Sequence, residues 1–394
     1  MPHRVLGPSY PAVVRQHIAL LTIARLCANA CYRFAAPFLA TIALGTNASL
    51  DQLGIAIAIS ELCGLMSPLL GRVVDRLSRR LAMVLGLSGV AIGTSLAASS
   101  HSVALFAVAL VVIGQTKVMF DLGLGSWIAD HVPYQRRSRV VGITETSWAL
   151  GLLVGVSLMG LVTAATNWRV GYGVGAAAVV VMAGLVSRRI PSEPPPARLH
   201  ESGSPTTRVT ARSWLVVGGA MALMASTQCL FVTFGSWLHD DFAFGPAGIS
   251  VVVFALGFLE LGASLTSAKY TDIWGKERSA AMGALVIVPA ALGLALWHDV
   301  LGVGVLMLGA GICGFEFAIV SALAIGSQMV AGSPARGLGL LIGGGTLGRA
   351  LASVPATRLY ESRGIGGPAV LAACLASVTV IAMRASHRMV ITDR

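Results

Sequence analysis

Long apolar segments recur along the whole chain, and they constrain its fold more than any other feature of the sequence. A run of about 18 or more apolar residues is long enough to cross a lipid bilayer. The backbone inside lipid must satisfy its own hydrogen bonds, so runs this long and rich in glycine predict helices. A β-barrel would instead show short segments of alternating polarity. Hydrophobic residues make up 55% of the chain, which excludes a soluble domain. We therefore predict an all-α membrane protein.

Twelve spanning segments are predicted from the apolar runs. They cover residues 17–44, 50–72, 80–99, 102–130, 139–163, 168–187, 213–238, 246–268, 279–297, 300–330, 337–357 and 366–385. The loops between them alternate in charge, and 21 of the 28 Lys and Arg residues fall in one alternating set of loops and tails. This asymmetry is the positive-inside rule. It predicts a multi-pass protein of the plasma membrane, such as a bacterial inner membrane, with both termini in the cytoplasm.

The same asymmetry explains the net charge of +11 without a nucleic-acid partner. One long polar interval, residues 188–212, contains five prolines and several arginines, and we predict a cytoplasmic linker there. It divides the chain into two six-helix bundles, residues 1–187 and 213–394.

The segment from Gly71 to Arg80 is a short, mostly basic turn between two apolar runs. Its order is Gly71-x-x-x-Asp75-Arg76-x-x-Arg79-Arg80. Gly71 would let two helix ends approach closely, and the Asp75 carboxylate would pair with arginines or cap a helix. The arginines could instead serve only to fix the topology of the chain.

This turn resembles the cytoplasmic loop motif of the major facilitator superfamily, although Val73 and Ser78 replace its usual Leu and Gly. A weaker copy follows in the second half, where a helical Glu260 precedes a segment with Asp272 and Lys276. The resemblance implies two related six-helix bundles that rock in alternating access. It also implies that these two segments form a cytoplasmic gate.

Four glycines of the predicted fifth helix, Gly142, Gly151, Gly155 and Gly160, resemble the glycine motif of the proton-driven drug exporters in that superfamily. Val156 and Met159 replace two of its expected residues. Close helix packing alone would also explain small residues at this spacing.

Ionisable residues inside membrane helices are costly and by default mark a pathway, a relay or a buried pair. The resemblance places helices 1, 4, 7 and 10 around the central cavity. It implies that the substrate and proton pathway includes Arg25, Asn29, Arg33, Lys117, Asp121, Gln228 and Glu316, and Glu145 of the fifth helix is added as a proton-site candidate. For Glu61, Glu260 and Arg349 we favour a structural role.

Two pairs are predicted among these charges. Arg33 would pair with Asp121 across helices 1 and 4. The resemblance to the superfamily also implies that Asp130, at the end of helix 4, pairs with Arg76 or Arg79 when the transporter faces outward. All eight histidines lie in loops, tails or helix ends, so a buried carboxylate is the expected proton site. Glu316 is the first choice, followed by Asp121 and Glu145, with a structural ion pair as the alternative.

Other functional motifs are weak or missing in the sequence. The six cysteines all lie in apolar segments and form no zinc or disulfide pattern. Gly343 to Gly348 fits a dinucleotide motif but lies within an apolar run, so helix packing explains it better. No Walker sequence is present. We therefore predict no enzyme activity and no cofactor other than a proton as coupling ion.

The sequence thus predicts a secondary active transporter, resembling the 12-helix efflux group, that exports an amphiphilic small molecule by proton antiport. Two alternatives stay open at this point: proton-coupled import of an anionic metabolite, and a membrane sensor or scaffold that transports nothing. The expected partners are a small-molecule substrate and the lipid bilayer, and we expect a monomer.

Overall fold

A computed structural model gives the fold of the chain. It describes residues 7, 10–133, 137–192, 209–326, 329 and 334–392. Helices dominate this part of the chain, and it contains no β-strand. The predicted linker at 188–212 therefore lies mostly outside the described residues.

The described residues of the first half form nine α-helices. They are α1 (Ala12–Arg33), α2 (Leu39–Thr46), α3 (Leu50–Cys63), α4 (Ser67–Arg76), α5 (Arg79–Ala98), α6 (Val103–His131), α7 (Arg137–Leu150), α8 (Ser157–Ala165) and α9 (Trp168–Arg189). A π-helical segment, Gly151–Val156, joins α7 to α8. Side-chain caps fix several starts, because Ser78, Ser102 and Asn167 accept hydrogen bonds from the first-turn amides of α5, α6 and α9.

The described residues of the second half form seven helices. They are α10 (Ala211–Phe231), α11 (Phe234–Phe242), α12 (Pro246–Trp274), α13 (Lys276–Trp297), α14 (Leu301–Gly326), α15 (Pro334–Arg363) and α16 (Gly366–Thr392). Thr210 caps α10 with its side chain. Pro246 occupies the first turn of α12, where its missing amide hydrogen costs no hydrogen bond.

The described helices include ten that are long and apolar enough to cross a membrane. The count rises to 11 if the bent pair Leu39–Thr46 and Leu50–Met66 is one span. Helix α1 is excluded from this count although it covers most of the first predicted segment. It carries Arg15, Arg25, Asn29 and Arg33, which lower its mean hydropathy. All twelve predicted segments thus coincide with helices, but two of them are less apolar or more broken than the rest.

Two predicted cytoplasmic loops are shorter than the sequence suggested. Residues 72–80 were predicted as a turn, yet α4 continues to Arg76 and α5 begins at Arg79. Residues 269–278 were predicted as a loop, yet Gly275 alone, with φ of 87°, separates α12 from α13. Charged residues end an apolar run but do not end a helix, because helical backbone hydrogen bonds also form outside the membrane.

The described residues fall into two compact units within the following bounds. The first comprises Met1–Thr46, Cys63–Leu199 and Pro246–Gly257, and the second comprises Asn47–Leu62, His200–Gly245 and Phe258–Arg394. Neither unit is one continuous stretch, because each half of the sequence contributes a short helical segment to the other unit. The predicted bundle boundaries at residues 187 and 213 stay a prediction.

Glycines bring helices together within each unit. In the first unit a Cβ atom added to Gly151 would lie 2.9 Å from the Asn29 Cβ, and one added to Gly155 would lie 2.3 Å from the Ala30 Cβ. Helix α1 therefore packs directly on the π-helical segment between α7 and α8. A Cβ on Gly142 would meet nothing within 4 Å. In the second unit a Cβ on Gly348 would lie 2.1 Å from the Met221 carbonyl oxygen, so the predicted packing role of the 343–348 glycines is confirmed.

Candidate functional site

Arg25 of α1 is the centre of a charged cluster in the first unit. Its Nε lies 3.0 Å from Asp121 Oδ1, and its Nη1 lies 2.8 Å from Glu145 Oε1. The same Nη1 donates a hydrogen bond to the Thr144 carbonyl oxygen at 3.0 Å. Its side chain is only 12% exposed, so one guanidinium joins α1, α6 and α7 in a partly buried setting.

Asp121 of α6 receives a second cation on its other oxygen. Lys117 lies one helical turn earlier, and its Nζ is 2.6 Å from Asp121 Oδ2. Protonation of Asp121 would therefore weaken two ion pairs, whereas protonation of Glu145 would weaken one. Glu145 is also the more accessible of the two, with 48% of its side chain exposed against 26% for Asp121.

The predicted pair between Arg33 and Asp121 is wrong. Both Asp121 oxygens are taken by Arg25 and Lys117. Arg33 lies eight residues beyond Arg25, about 12 Å further along the helix axis. At that level its Nη1 donates to the Trp148 carbonyl oxygen at 2.9 Å, and its guanidinium carbon lies 4.7 Å from the centre of a Trp148 ring.

Two aromatic side chains, which are not among the predicted site residues, border the charges. Lys117 Nζ lies 5.5 Å from the centre of the Tyr32 ring and 5.3 Å from a ring centre of Trp148. The two rings themselves are 6.3 Å apart. Cations over aromatic faces are stabilised electrostatically. Tyr32 adjoins Arg33, and Trp148 follows Glu145 by three residues. The position of the two aromatic residues relative to the charges, at helical spacing, was therefore the sequence signal that could have identified them.

Asn29 lies within the same helix interface and is completely buried. Its amide nitrogen donates to Ser147 Oγ at 3.3 Å. Because Gly151 packs against the Asn29 Cβ, Asn29 lies where α1 contacts the π-helical segment between α7 and α8. The predicted cluster of Arg25, Asn29, Lys117, Asp121 and Glu145 is thus brought together in one unit.

The predicted residues of the second unit lie in separate settings. Glu316 of α14 is 6% exposed. Gln228 of α10 donates from Nε2 to Ser353 Oγ of α15 at 3.0 Å. Ser353 in turn donates to the Arg349 carbonyl oxygen at 2.9 Å. Arg349 pairs with Glu61 at 2.8 Å, in agreement with the structural role favoured for both.

The predicted contact between Asp130 and Arg79 is present in the first unit. Arg79 Nε lies 2.7 Å from Asp130 Oδ2, and the arginine side chain is 5% exposed. Arg79 begins α5 and Asp130 lies in the last turn of α6, so the pair ties the ends of two neighbouring helices. The alternative partner, Arg76, is exposed at the end of α4.

The remaining gate candidates have few described contacts. Arg80 Nη1 lies 3.5 Å from the Ser187 carbonyl oxygen, and Lys276 begins α13 half-buried. The side chains of Asp75 and Asp272 lie outside the described residues. A Cβ on Gly71 would meet nothing within 4 Å, so the predicted close approach of helices at Gly71 is wrong. The glycine lies inside α4 rather than in a turn.

Comparison with known proteins places these features in a family. The model of the Major Facilitator Superfamily matches residues 21–383. The chain belongs to this superfamily. The predicted resemblance and the predicted all-α major facilitator fold are therefore confirmed, and the family and fold indicate a non-enzymatic membrane transporter.

Individual relatives are distant. An uncharacterized MFS-type transporter, YwfA of Bacillus subtilis (strain 168), is 25% identical over 271 residues, which are 65% of this chain. The match spans 64% of that relative, less than two thirds of its length.

Solved transporter structures share the fold at low sequence identity. The peptide transporter POT in complex with alafosfalin is similar with a TM-score of 0.76 and 14% identity, covering 98% of this chain and 97% of that one. A bacterial homolog of the human lysosomal transporter Spinster gives a TM-score of 0.72 and 14% identity, with coverages of 96% and 94%. The nucleoside transporter NupG is similar with a TM-score of 0.73 and 18% identity, covering 94% of this chain and 99% of that one.

Proposed function

We propose that this superfamily member is a proton-coupled antiporter that exports an amphiphilic small molecule by alternating access. The observation that carries the proposal is the ion network centred on Arg25. Two carboxylates share one guanidinium, and one of them, Glu145, is half exposed. A proton that reaches Glu145 would weaken its pairing with Arg25 while the Asp121 pairs persist. Such a carboxylate can exchange a proton for another interaction without dismantling the site.

The amphiphilic class of substrate follows from the mixture of groups beside that network. Charged side chains lie next to the rings of Tyr32 and Trp148, which present flat apolar surfaces. A ligand with an apolar ring system and one charged group would use both kinds of contact. The four glycines of the predicted fifth helix, which resemble the glycine motif of the exporters, support the export direction. The packing of Gly151 and Gly155 against α1 also has a purely structural explanation.

A second function is favoured by the charge balance of the same cluster. Arg25, Arg33 and Lys117 provide three positive charges, and Asp121 and Glu145 provide two negative ones. A surplus cation suits an anionic substrate, and a proton-coupled symporter would import it. Among the structural neighbours, one is described as the human organic anion transporter MFSD10, with a TM-score of 0.68 and 18% identity.

Proton movement in vesicles distinguishes the two functions. Everted membrane vesicles that contain the full chain would be energised, and the luminal pH followed while cationic, neutral and anionic amphiphiles are added. Substrate-dependent proton release from the lumen supports antiport. Proton movement in the same direction as an anionic substrate supports symport. No proton movement with any compound contradicts both.

Carboxylate variants then locate the coupling residue. Glu145→Gln, Asp121→Asn and Glu316→Gln would be compared in the same vesicles. We expect Glu145→Gln to abolish proton release while substrate binding persists, because the network around Arg25 and Asp121 remains. Loss of proton release in Glu316→Gln alone would identify Glu316, the first choice from the sequence, as the coupling residue.

A further inference from the structure

An apolar groove of about 480 Å³ lies between α12, α13 and α14 of the second unit. Its walls include Phe258, Met282, Val286 and Phe317. Thr266 also lines it, and its hydroxyl group donates to the Gly262 carbonyl oxygen at 2.7 Å within its own helix. The groove therefore presents an almost wholly apolar surface to a ligand.

Small residues create the space in this groove. A Cβ added to Gly283 would lie 2.5 Å from the Gly314 carbonyl oxygen, and one added to Gly314 would lie 2.6 Å from the Gly283 carbonyl oxygen. This contact brings α13 and α14 together at the floor. A Cβ added to Gly262 would meet nothing within 4 Å, so the space in front of α12 is open. The groove is thus a built feature of three packed helices.

One end of the groove is aromatic and basic. Tyr270 stacks on Trp274 at 5.2 Å, and Trp274 lies 5.8 Å from the Phe317 ring. Tryptophan and tyrosine at a helix end are typical of the membrane–water interface. Lys276 and the exposed Arg278 follow directly after the Gly275 turn.

The local charge at that end is positive. Glu277, the acid between the two cations, forms an ion pair with Arg212. The described side chains at this end thus provide three cations, Arg212, Lys276 and Arg278, against one carboxylate, Glu277. An anionic group at the interface would therefore be attracted to this end.

We propose that the groove binds one acyl chain of an anionic glycerophospholipid, with its phosphate beside Lys276 and Arg278. The lining of α12 from Phe258 to Trp274 extends about 24 Å at about 1.5 Å per residue. One leaflet of the hydrocarbon core is about 15 Å deep. An acyl chain that starts at the Trp274 level therefore meets an apolar wall along its whole depth in the leaflet. The basic end complements the phosphate charge, which distinguishes an anionic lipid from a zwitterionic one.

Lipid retention on the purified protein tests the proposal. The full chain in detergent would be mixed with phosphatidylglycerol or phosphatidylcholine of identical acyl chains, and bound lipid counted by native mass spectrometry. We expect one phosphatidylglycerol to bind about thirtyfold more tightly than phosphatidylcholine, as expected for two cations near the lipid headgroup. Lys276→Gln combined with Arg278→Gln should remove the preference and leave weak binding of both lipids.

Groove-filling variants separate this site from general lipid adhesion. Gly262→Phe should abolish tight binding because the new ring occupies the space of the acyl chain. Gly184→Phe on α9 is the matched control, since Gly184 is also exposed and its added Cβ also meets nothing within 4 Å. Gly262→Leu repeats the test with a smaller side chain. Equal retention of the two lipids by the wild type would overturn the proposal. So would unchanged phosphatidylglycerol binding in Gly262→Phe with an unchanged melting temperature.

Discussion

Arg349 Nη2 lies 2.8 Å from Glu61 Oε2, and this pair joins residues that are 288 positions apart in the sequence. It connects α3 to α15 within the second unit. The Arg349 side chain is 20% exposed and the Glu61 side chain 10%. A second ion pair links the same two helices, with Arg358 Nε 2.9 Å from Asp51 Oδ1, but the Arg358 side chain is 64% exposed. One helix pair therefore carries a buried and an exposed ion pair of similar length.

We predict that these two ion pairs differ in coupling energy. A double-mutant cycle with Glu61→Gln and Arg349→Gln should give a coupling of about 2 kcal/mol, because removing one partner leaves a buried charge. The cycle with Asp51→Asn and Arg358→Gln should give about 0.5 kcal/mol, as is typical of exposed pairs.

Thermal unfolding of the detergent-purified variants measures both cycles under one condition. Adding salt provides the control, since screening should reduce the exposed coupling more than the buried one. Equal couplings in the two cycles would mean that burial does not decide the strength of these pairs.

The Arg25 network predicts unequal roles for the two arginines of α1. Arg25→Gln should lower stability by about 2–3 kcal/mol, somewhat below the usual cost of breaking a buried pair because Glu145 is half exposed. It should also reduce transport at least about tenfold, as expected for the loss of an interaction worth more than about 1.4 kcal/mol. Arg33→Gln is the matched control, since it leaves the ion pairs of Asp121 and Glu145 intact.

Melting temperature and initial transport rate in vesicles would be measured for both arginine variants. If Arg33→Gln proves as destabilising as Arg25→Gln, the ion pairs of Arg25 are not what holds α1 in place.

The sequence predicted which residues would cluster but not which of them would pair. Arg25 and Arg33 share one face of α1, so spacing alone could not decide which one reaches Asp121. That choice depends on how α1 lies against α6 and α7. Contacts such as the close approach of Ala30 to Gly155 define this packing, and the spacing of the charges does not encode them.

Helix ends were the least predictable part of the fold. Hydropathy located the apolar runs well, since each coincides with one or two helices. It could not show that α4 continues through the charged residues up to Arg76 or that α12 continues to Trp274. By contrast, the Arg79–Asp130 contact was predictable because one apolar run begins directly after Arg79 and another ends at Asp130, which places both residues at helix ends.

The glycines of the predicted fifth helix should differ in how much stability is lost when a methyl group is added to each. Gly155→Ala should lower the free energy of unfolding by about 1–3 kcal/mol, because its Cβ would lie 2.3 Å from the Ala30 Cβ and force the helices apart. Gly142→Ala should be neutral or slightly stabilising, since its Cβ meets nothing and alanine favours the helix. Thermal unfolding of the two variants in one detergent makes the comparison, and equal melting temperatures would contradict a packing role for Gly155.

The ion pair between the buried Arg79 and Asp130 predicts a change in access at one end of the first unit. Asp130→Asn removes a charged acceptor 2.7 Å from Arg79 Nε, so the tie between the ends of α5 and α6 should weaken. A single reporter cysteine at position 71 suits the measurement, because a side chain there meets nothing within 4 Å. In a variant without the six native cysteines, we expect Gly71→Cys to react several-fold faster with a water-soluble maleimide when Asp130→Asn is present.

Arg76→Gln provides the control for that experiment. Arg76 is the exposed alternative partner from the same motif, and its removal leaves the Arg79–Asp130 pair in place. The maleimide rate at position 71 should therefore change little in this variant. If Asp130→Asn leaves the rate unchanged while Arg76→Gln raises it, access at position 71 depends on the exposed Arg76 and not on the Arg79–Asp130 pair.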